Sequence, residues 1–167
     1  MMKKEKTLRP VDIIVSQSDL NGFIIYANPI FYKIAGYKYG ELIGKNHNII
    51  RDKAMPKIIF KRLWEALHKK QEVYCFIKNR SKDDGFYWVY AHIRPSFNPD
   101  GSMRNYISTR RAISPKAKAI IQPLYQTLYH IEKHEGIHAS EAYYKAFLDA
   151  NHYHATSENE IIQNIQF

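Results

Sequence analysis

Hydrophobic and polar positions alternate through Asp12–Ser18 and again through Phe23–Ala27, and Leu20-Asn21-Gly22 between them supplies the residues of a tight turn. The pattern predicts a β-hairpin. Asn28 then precedes Pro29, so its carboxamide is placed to cap a helix whose first position tolerates the missing proline N–H. That helix is predicted to end at Ala35, with Gly36 as the stop, and a further short helical turn is predicted over 39–44, closed by Gly44. After Pro56 the apolar residues Ile58, Ile59, Leu63 and Leu67 recur at helical spacing. Beyond His68 the period falls to two, through Val73, Cys75 and Ile77. Turn signals at Ser81–Gly85 and Asn98–Ser102 separate two more strands, 86–94 and 104–111. Five strands with helices inserted after the second imply an α+β fold: an antiparallel sheet with short helices over one face. Such a layer is a common way to enclose a small molecule.

From Ala112 onward strand-like alternation stops and helix formers dominate. Ser114-Pro115 is placed to open a helix, which Pro123 is expected to interrupt or kink. Ile121, Leu124, Leu128 and Ile131 form an apolar stripe that suits either the chain's own sheet or a second copy, and so a homodimer. Ser140 is expected to cap a helix over 141–150, and Ser157 with Glu160 has the spacing of a capping box for a last short helix. The chain thus divides into an N-terminal extension (1–10), a pocket-forming domain (11–113) and a C-terminal helical segment (114–167).

The apolar fraction of 45% supplies a core for one domain of this length. Cys75 is the single cysteine, so neither an intramolecular disulfide nor a cysteine-based zinc site forms within one chain, and a reducing compartment is expected. No apolar run reaches the length of a signal peptide or a bilayer span, so the expected location is the cytoplasm, without membrane insertion. The net charge of +9 is concentrated in residues 33–82, where 13 Lys and Arg face 4 acidic residues. That imbalance suits an anionic ligand or partner, or a solvated helix face. No recognition helix or stacking signature accompanies it, so nucleic acid is not expected. There is no phosphate loop, nucleophile elbow or clustered carboxylate pair, and the chain is not expected to be an enzyme. His130 and His134 share a helix face, but Ile131 stands where a zinc protease needs its glutamate, so no metal site is expected.

Over residues 18–111 a set of short motifs stands in order: Asp19-Leu20-Asn21-Gly22, Tyr26-Ala27-Asn28, Gly36-Tyr37, Glu41-Leu42-Ile43-Gly44, His47-Asn48, Arg51, Met55-Pro56-Lys57, Phe60, Trp64, Lys78-Asn79-Arg80 and Tyr87-Trp88-Val89. In combination they resemble a PAS domain, and more narrowly the FAD-binding PAS sensors of the aerotaxis and energy-taxis receptor type. The resemblance departs from that group at Asp52-Lys53-Ala54, where its members usually read His-Pro-Asp. It implies a redox sensor that binds FAD and signals to a chemotaxis-type partner through the sheet face and flanking helices. It also implies cofactor contacts from Asn28, His47, Asn48, Arg51, Phe60, Trp64 and Asn79. The carboxamide of Asn28 or Asn79 suits a flavin N5, which accepts a hydrogen bond when oxidised and donates one when reduced. Arg51, with a planar donor fork, suits the pyrophosphate or a ring carbonyl. Alternative occupants are FMN or a haem held by His47, His68 or His92; a ligand-free interaction module is the remaining alternative. Cys75 lies in a predicted strand, not in the helical half where light-sensing relatives carry their reactive cysteine.

Overall fold

The computed structural model describes residues 3–152 and 154–167; Met1 and Met2 of the expected extension lie outside the described residues. Five strands, β1 (Ile14–Ser18), β2 (Ile24–Ala27), β3 (Val73–Arg80), β4 (Phe86–Phe97) and β5 (Met103–Ala112), pair antiparallel in the order β2-β1-β5-β4-β3. The fold is α+β. Between β2 and β3 the chain forms α1 (Pro29–Ala35), a 3₁₀ turn at His47–Ile50 and α2 (Lys57–His68), which lie over one face of the sheet. That face is defined by the pleat: Ser16 pairs with Ser108, Ser108 with Ile93, Ala91 with Arg110, and Asn79 with Tyr87, so these residues point the same way.

Local chemistry explains most of these boundaries. Asp19 Oδ1 accepts from the N–H groups of Asn21 and Phe23, both at 2.9 Å, and Gly22 takes the left-handed φ of 87° that turns the chain into β2. Asn28 accepts from Phe31 N at 3.3 Å and Val15 N at 3.0 Å and donates to Ile13 O at 2.8 Å, so one carboxamide caps α1 and ties it to the first strand. Residues 39–44 form hydrogen-bonded turns, not the expected helical turn, because Gly40 within them adopts a left-handed φ of 86°.

The C-terminal segment folds as α3 (Pro115–His134), α4 (Ile137–Ala150) and α5 (Glu158–Gln166). α3 runs unbroken through Pro123, contrary to the expected interruption. An interior proline costs about 3 kcal/mol, whereas each buried Leu or Ile side chain contributes about 1.5–3 kcal/mol, and Ile121, Leu124 and Leu128 are all buried around it. Tyr125 adds a hydrogen bond from its hydroxyl to Phe76 O at 2.8 Å and packs on Trp88, which places α3 against the second face of the sheet. Three of the four stripe residues, Ile121, Leu124 and Leu128, are therefore buried within the chain, and Ile131 is half-buried. α4 starts at Ile137, three residues before the expected cap; the Ser140 hydroxyl instead lies 3.0 Å from Ile137 O and 3.1 Å from Glu132. At α5, Ser157 Oγ accepts from Glu160 N at 3.3 Å as the capping-box spacing predicts, but the Glu160 carboxylate returns to Thr156 and not to Ser157. β3 is a sheet edge. Asn159 covers part of it, accepting from Tyr74 N at 2.9 Å and donating to Glu72 O at 3.0 Å.

Candidate functional site

The inner face of the sheet and α2 enclose a cavity. α2 contributes Phe60, Leu63, Trp64 and Leu67; the sheet contributes Ser16, Ile77, Asn79, Ile93, Tyr106, Ser108 and Arg110; and the 3₁₀ turn contributes His47 and Asn48. The cavity has a volume of about 100 Å³. A planar tricyclic ring therefore fits only with side chains of the wall rearranged. Gly22 borders Trp64, but a Cβ there would meet the indole only in ordinary contact at 3.6 Å; it is the left-handed backbone that calls for glycine.

Two guanidinium groups dominate the electrostatics. Arg110, 1% exposed, donates from Nη2 to Ser16 Oγ at 2.5 Å and lies with Cζ 4.4 Å from the centre of the Phe31 ring. Arg51 lies with Cζ 3.6 Å over the Phe60 ring, and its backbone bridges to Asn79. The Nε atoms of both are buried without a hydrogen-bond partner, and neither arginine has an ion-pair partner among the described residues. Burial lowers the pKa of each, that of Arg110 to about 10. Uncompensated buried cations are costly, so this wall favours a ligand with acceptor atoms or negative charge.

His47 responds to the same field. Burial first, then the charges of Arg110 and Arg51, push its imidazole down to about 3, so it is neutral at physiological pH. Its Nε2 lies 3.0 Å from Ser16 Oγ. Arg110 can only donate to that oxygen, so the Ser16 hydroxyl proton stays available to an acceptor such as the neutral imidazole.

Of the residues expected at the site, the fold brings together His47, Asn48, Arg51, Phe60, Trp64 and Asn79. It does not bring in Asn28, whose carboxamide is used by the α1 cap and the β1 backbone, away from the cavity. Of the three histidines considered as haem ligands, His47 alone lines the cavity; His68 is exposed beside Trp64, and His92 lies on the other sheet face, stacked on Tyr74 and 2.7 Å from Glu72. Arg110, Ser16, Tyr106 and Ser108 were not anticipated. The signal for three of them was present: extending the two-residue period of the last strand from Tyr106 selects Ser108 and Arg110, not Arg111, for the inner face. Cys75 is buried in β3, and burial raises its thiol to about 12, which makes it unreactive. Among the described residues no group of three or more His, Cys, Asp and Glu is placed to hold a metal ion, and no helix is long and apolar enough to cross a membrane.

Outside the cavity mouth a second hollow shares Arg51, Phe60, Asn46 and Asn48 with it and adds Lys45, Lys53, Lys57 and Arg80, against one acidic residue, Asp52. Asp52 Oδ1 is occupied by Ala54 N at 2.8 Å, and Oδ2 faces Lys78 Nζ at 3.7 Å. The vestibule is strongly cationic.

The family model described as PAS fold matches residues 24–110, more than half the chain. This chain belongs to the PAS fold family. Within it, the aerotaxis receptor of Escherichia coli strain K12 is 35% identical over 115 residues, which is 69% of this chain and 22% of the receptor. The nitrogen fixation regulatory protein of Klebsiella oxytoca is 31% identical over 102 residues, 61% of this chain and 21% of that one. The chain thus spans about a fifth of the length of these curated relatives. Among solved structures, a light-oxygen-voltage domain studied with a flavin analogue superposes with a TM-score of 0.58 at 21% identity, covering 66% of this chain and 84% of that one. The PAS domain of a Colwellia psychrerythraea protein gives 0.55 at 22% identity, covering 60% and 86%. The PAS segment carries the whole cavity wall apart from Ser16, Ser18 and Gly22.

Proposed function

We propose that this chain is a cytoplasmic redox sensor that holds FAD between its sheet and α2 and passes the cofactor's redox state to a chemotaxis-type signalling partner, without catalytic turnover. The observation that carries this reading is the pair of arginines without a counter-charge among the described residues, half-buried Arg51 and fully buried Arg110, whose Nε atoms have no hydrogen-bond partner, in a wall they share with Phe60, Trp64, Tyr106 and aliphatic side chains. Planar aromatic surface with an acceptor-rich edge suits that wall, because guanidinium donors and aromatic side chains line it together. The cationic vestibule supports FAD over FMN, since Lys45, Lys53, Lys57 and Arg80 lie where a diphosphate emerging from the mouth would lower their mutual repulsion. A bound flavin supplies reversible electron acceptance; the protein supplies a neutral His47, a carboxamide at Asn79 and a fixed positive charge at Arg110. The similarity to an aerotaxis receptor supports the choice of partner class, and the exposed Ile13 and Tyr26 on the second sheet face offer that partner apolar contact.

The test is the identity and retention of the small molecule that copurifies. FAD, released on denaturation and identified by mass, is the expected result, with retention reduced in Arg51→Ala. A single intense Soret band, or no chromophore before and after incubation with FAD, would overturn the assignment.

A further inference from the structure

α2 is gripped on the side facing away from the cavity. Pro56, its N-cap residue, has no side-chain acceptor, and the first two helical N–H groups are taken instead by Glu132 of α3: Lys57 N donates to Oε2 and Ile58 N to Oε1, both at 2.8 Å. A carboxylate there also meets the positive end of the helix dipole. One turn on, Lys61 Nζ reaches Glu141 of α4 at 3.0 Å. Arg62 Nη2 reaches Glu158 of α5 at 2.6 Å, and the other oxygen of Glu158 accepts from the Tyr144 hydroxyl at 3.0 Å. Three helices thus each place one glutamate on one twelve-residue helix. Exposed ion pairs contribute little singly, but these are half-buried, and Glu132 adds two backbone bonds. The opposite side of the same helix is the cavity wall, Phe60, Leu63, Trp64 and Leu67. All three glutamates lie beyond residue 110, where the PAS match ends.

We propose that α3–α5 form a latch that positions α2 as the wall of the cavity, so that docking of the latch and occupancy of the cavity are coupled. The proposal takes its ligand from the flavin reading above, but the grip on α2 stands without it. A held wall costs less to order when a ligand packs against it, so the latch strengthens binding. By reciprocity, a bound ligand tightens the latch by the same factor, which makes residues 115–167 the element that reports the cavity's state.

The full-length chain tests this with FAD as the probe and 8-anilinonaphthalene-1-sulfonate, an apolar-cavity dye, titrated in parallel. Glu132→Ala and the double variant Glu141→Gln with Glu158→Gln are compared with Glu135→Gln, which changes charge at the exposed end of α3 without touching α2. Amide exchange over residues 57–68 is expected to accelerate about fivefold or more in the latch variants while β4 and β5 stay protected, and FAD affinity is expected to fall by a similar factor, the lower end of ordinary coupling between sites. In the wild type, FAD should slow exchange in α4 and α5. Unchanged exchange in α2, or faster exchange with FAD affinity equal to the control's, would overturn the latch. If wild-type protein binds no FAD while dye binding and α2 exchange still depend on Glu132, the flavin reading fails and the latch stands. Should Glu132→Ala not fold, Glu132→Gln keeps one acceptor oxygen, and a smaller shift in the same direction is expected.

Discussion

At the scale of single residues, Arg110 is the least expected side chain of the interior. A fully buried guanidinium with one neutral partner gives up hydration that the fold does not restore, so its retention costs stability. Arg110→Met, similar in volume and uncharged, is expected to leave the thermal midpoint unchanged or raise it by a few degrees, of order 1 kcal/mol. The same variant should bind FAD about tenfold or more weakly, because a charge-assisted hydrogen bond contributes about 1.5–3 kcal/mol; calorimetry and a fluorescence titration check both halves. His47 gives a pH signature. Its pKa is near 6.5 in the unfolded chain and about 3 in the folded one, so between those values the unfolded chain carries the extra proton. Stability is then lost as pH falls from 6.5 toward 3, by at most about 1.4 kcal/mol per pH unit from this group. His47→Asn should lose less stability than wild type in urea unfolding between pH 7 and pH 5.

At the scale of elements, one residue type serves two purposes, and mutation separates them. Asn28 makes three hydrogen bonds that join α1 to β1, so Asn28→Ala is expected to cost about 1–2 kcal/mol with FAD affinity unchanged once the protein is folded. Asn79 lines the cavity, and Asn79→Ala is expected to do the reverse: weaker FAD binding at nearly constant stability, read by the same unfolding curve and titration. These elements were largely legible in the sequence, because Asn28-Pro29, Gly36, and the shift from helical to two-residue period after His68 are local signals with local causes. What escaped is non-local. Pro123 reads as a helix breaker until the burial of Ile121, Leu124 and Leu128 is known, and Glu132 gives no sign that it caps a helix 74 residues earlier in the chain. Asn28 misled for the opposite reason: an asparagine beside a predicted pocket satisfied a local cap that fully explained it.

At the scale of the whole molecule, charge is unevenly spread, and the fold gathers part of it at one opening. Lys45, Arg51, Lys53, Lys57 and Arg80 come from three separate segments, which is why sequence could give the excess but not the vestibule. Attraction between that vestibule and a diphosphate is screened by salt, with a Debye length of about 10 Å at 0.1 M and about 3 Å at 1 M. Raising the salt concentration across that range is therefore expected to weaken FAD binding markedly more than riboflavin binding, which a pair of titrations would measure. Asn159 acts at this scale too. By occupying Tyr74 N and Glu72 O, its carboxamide imitates a neighbouring strand at the open border of the sheet. A chain whose last helix came away would bare that border as a template for foreign β-segments, so the helix that closes the fold also guards its solubility.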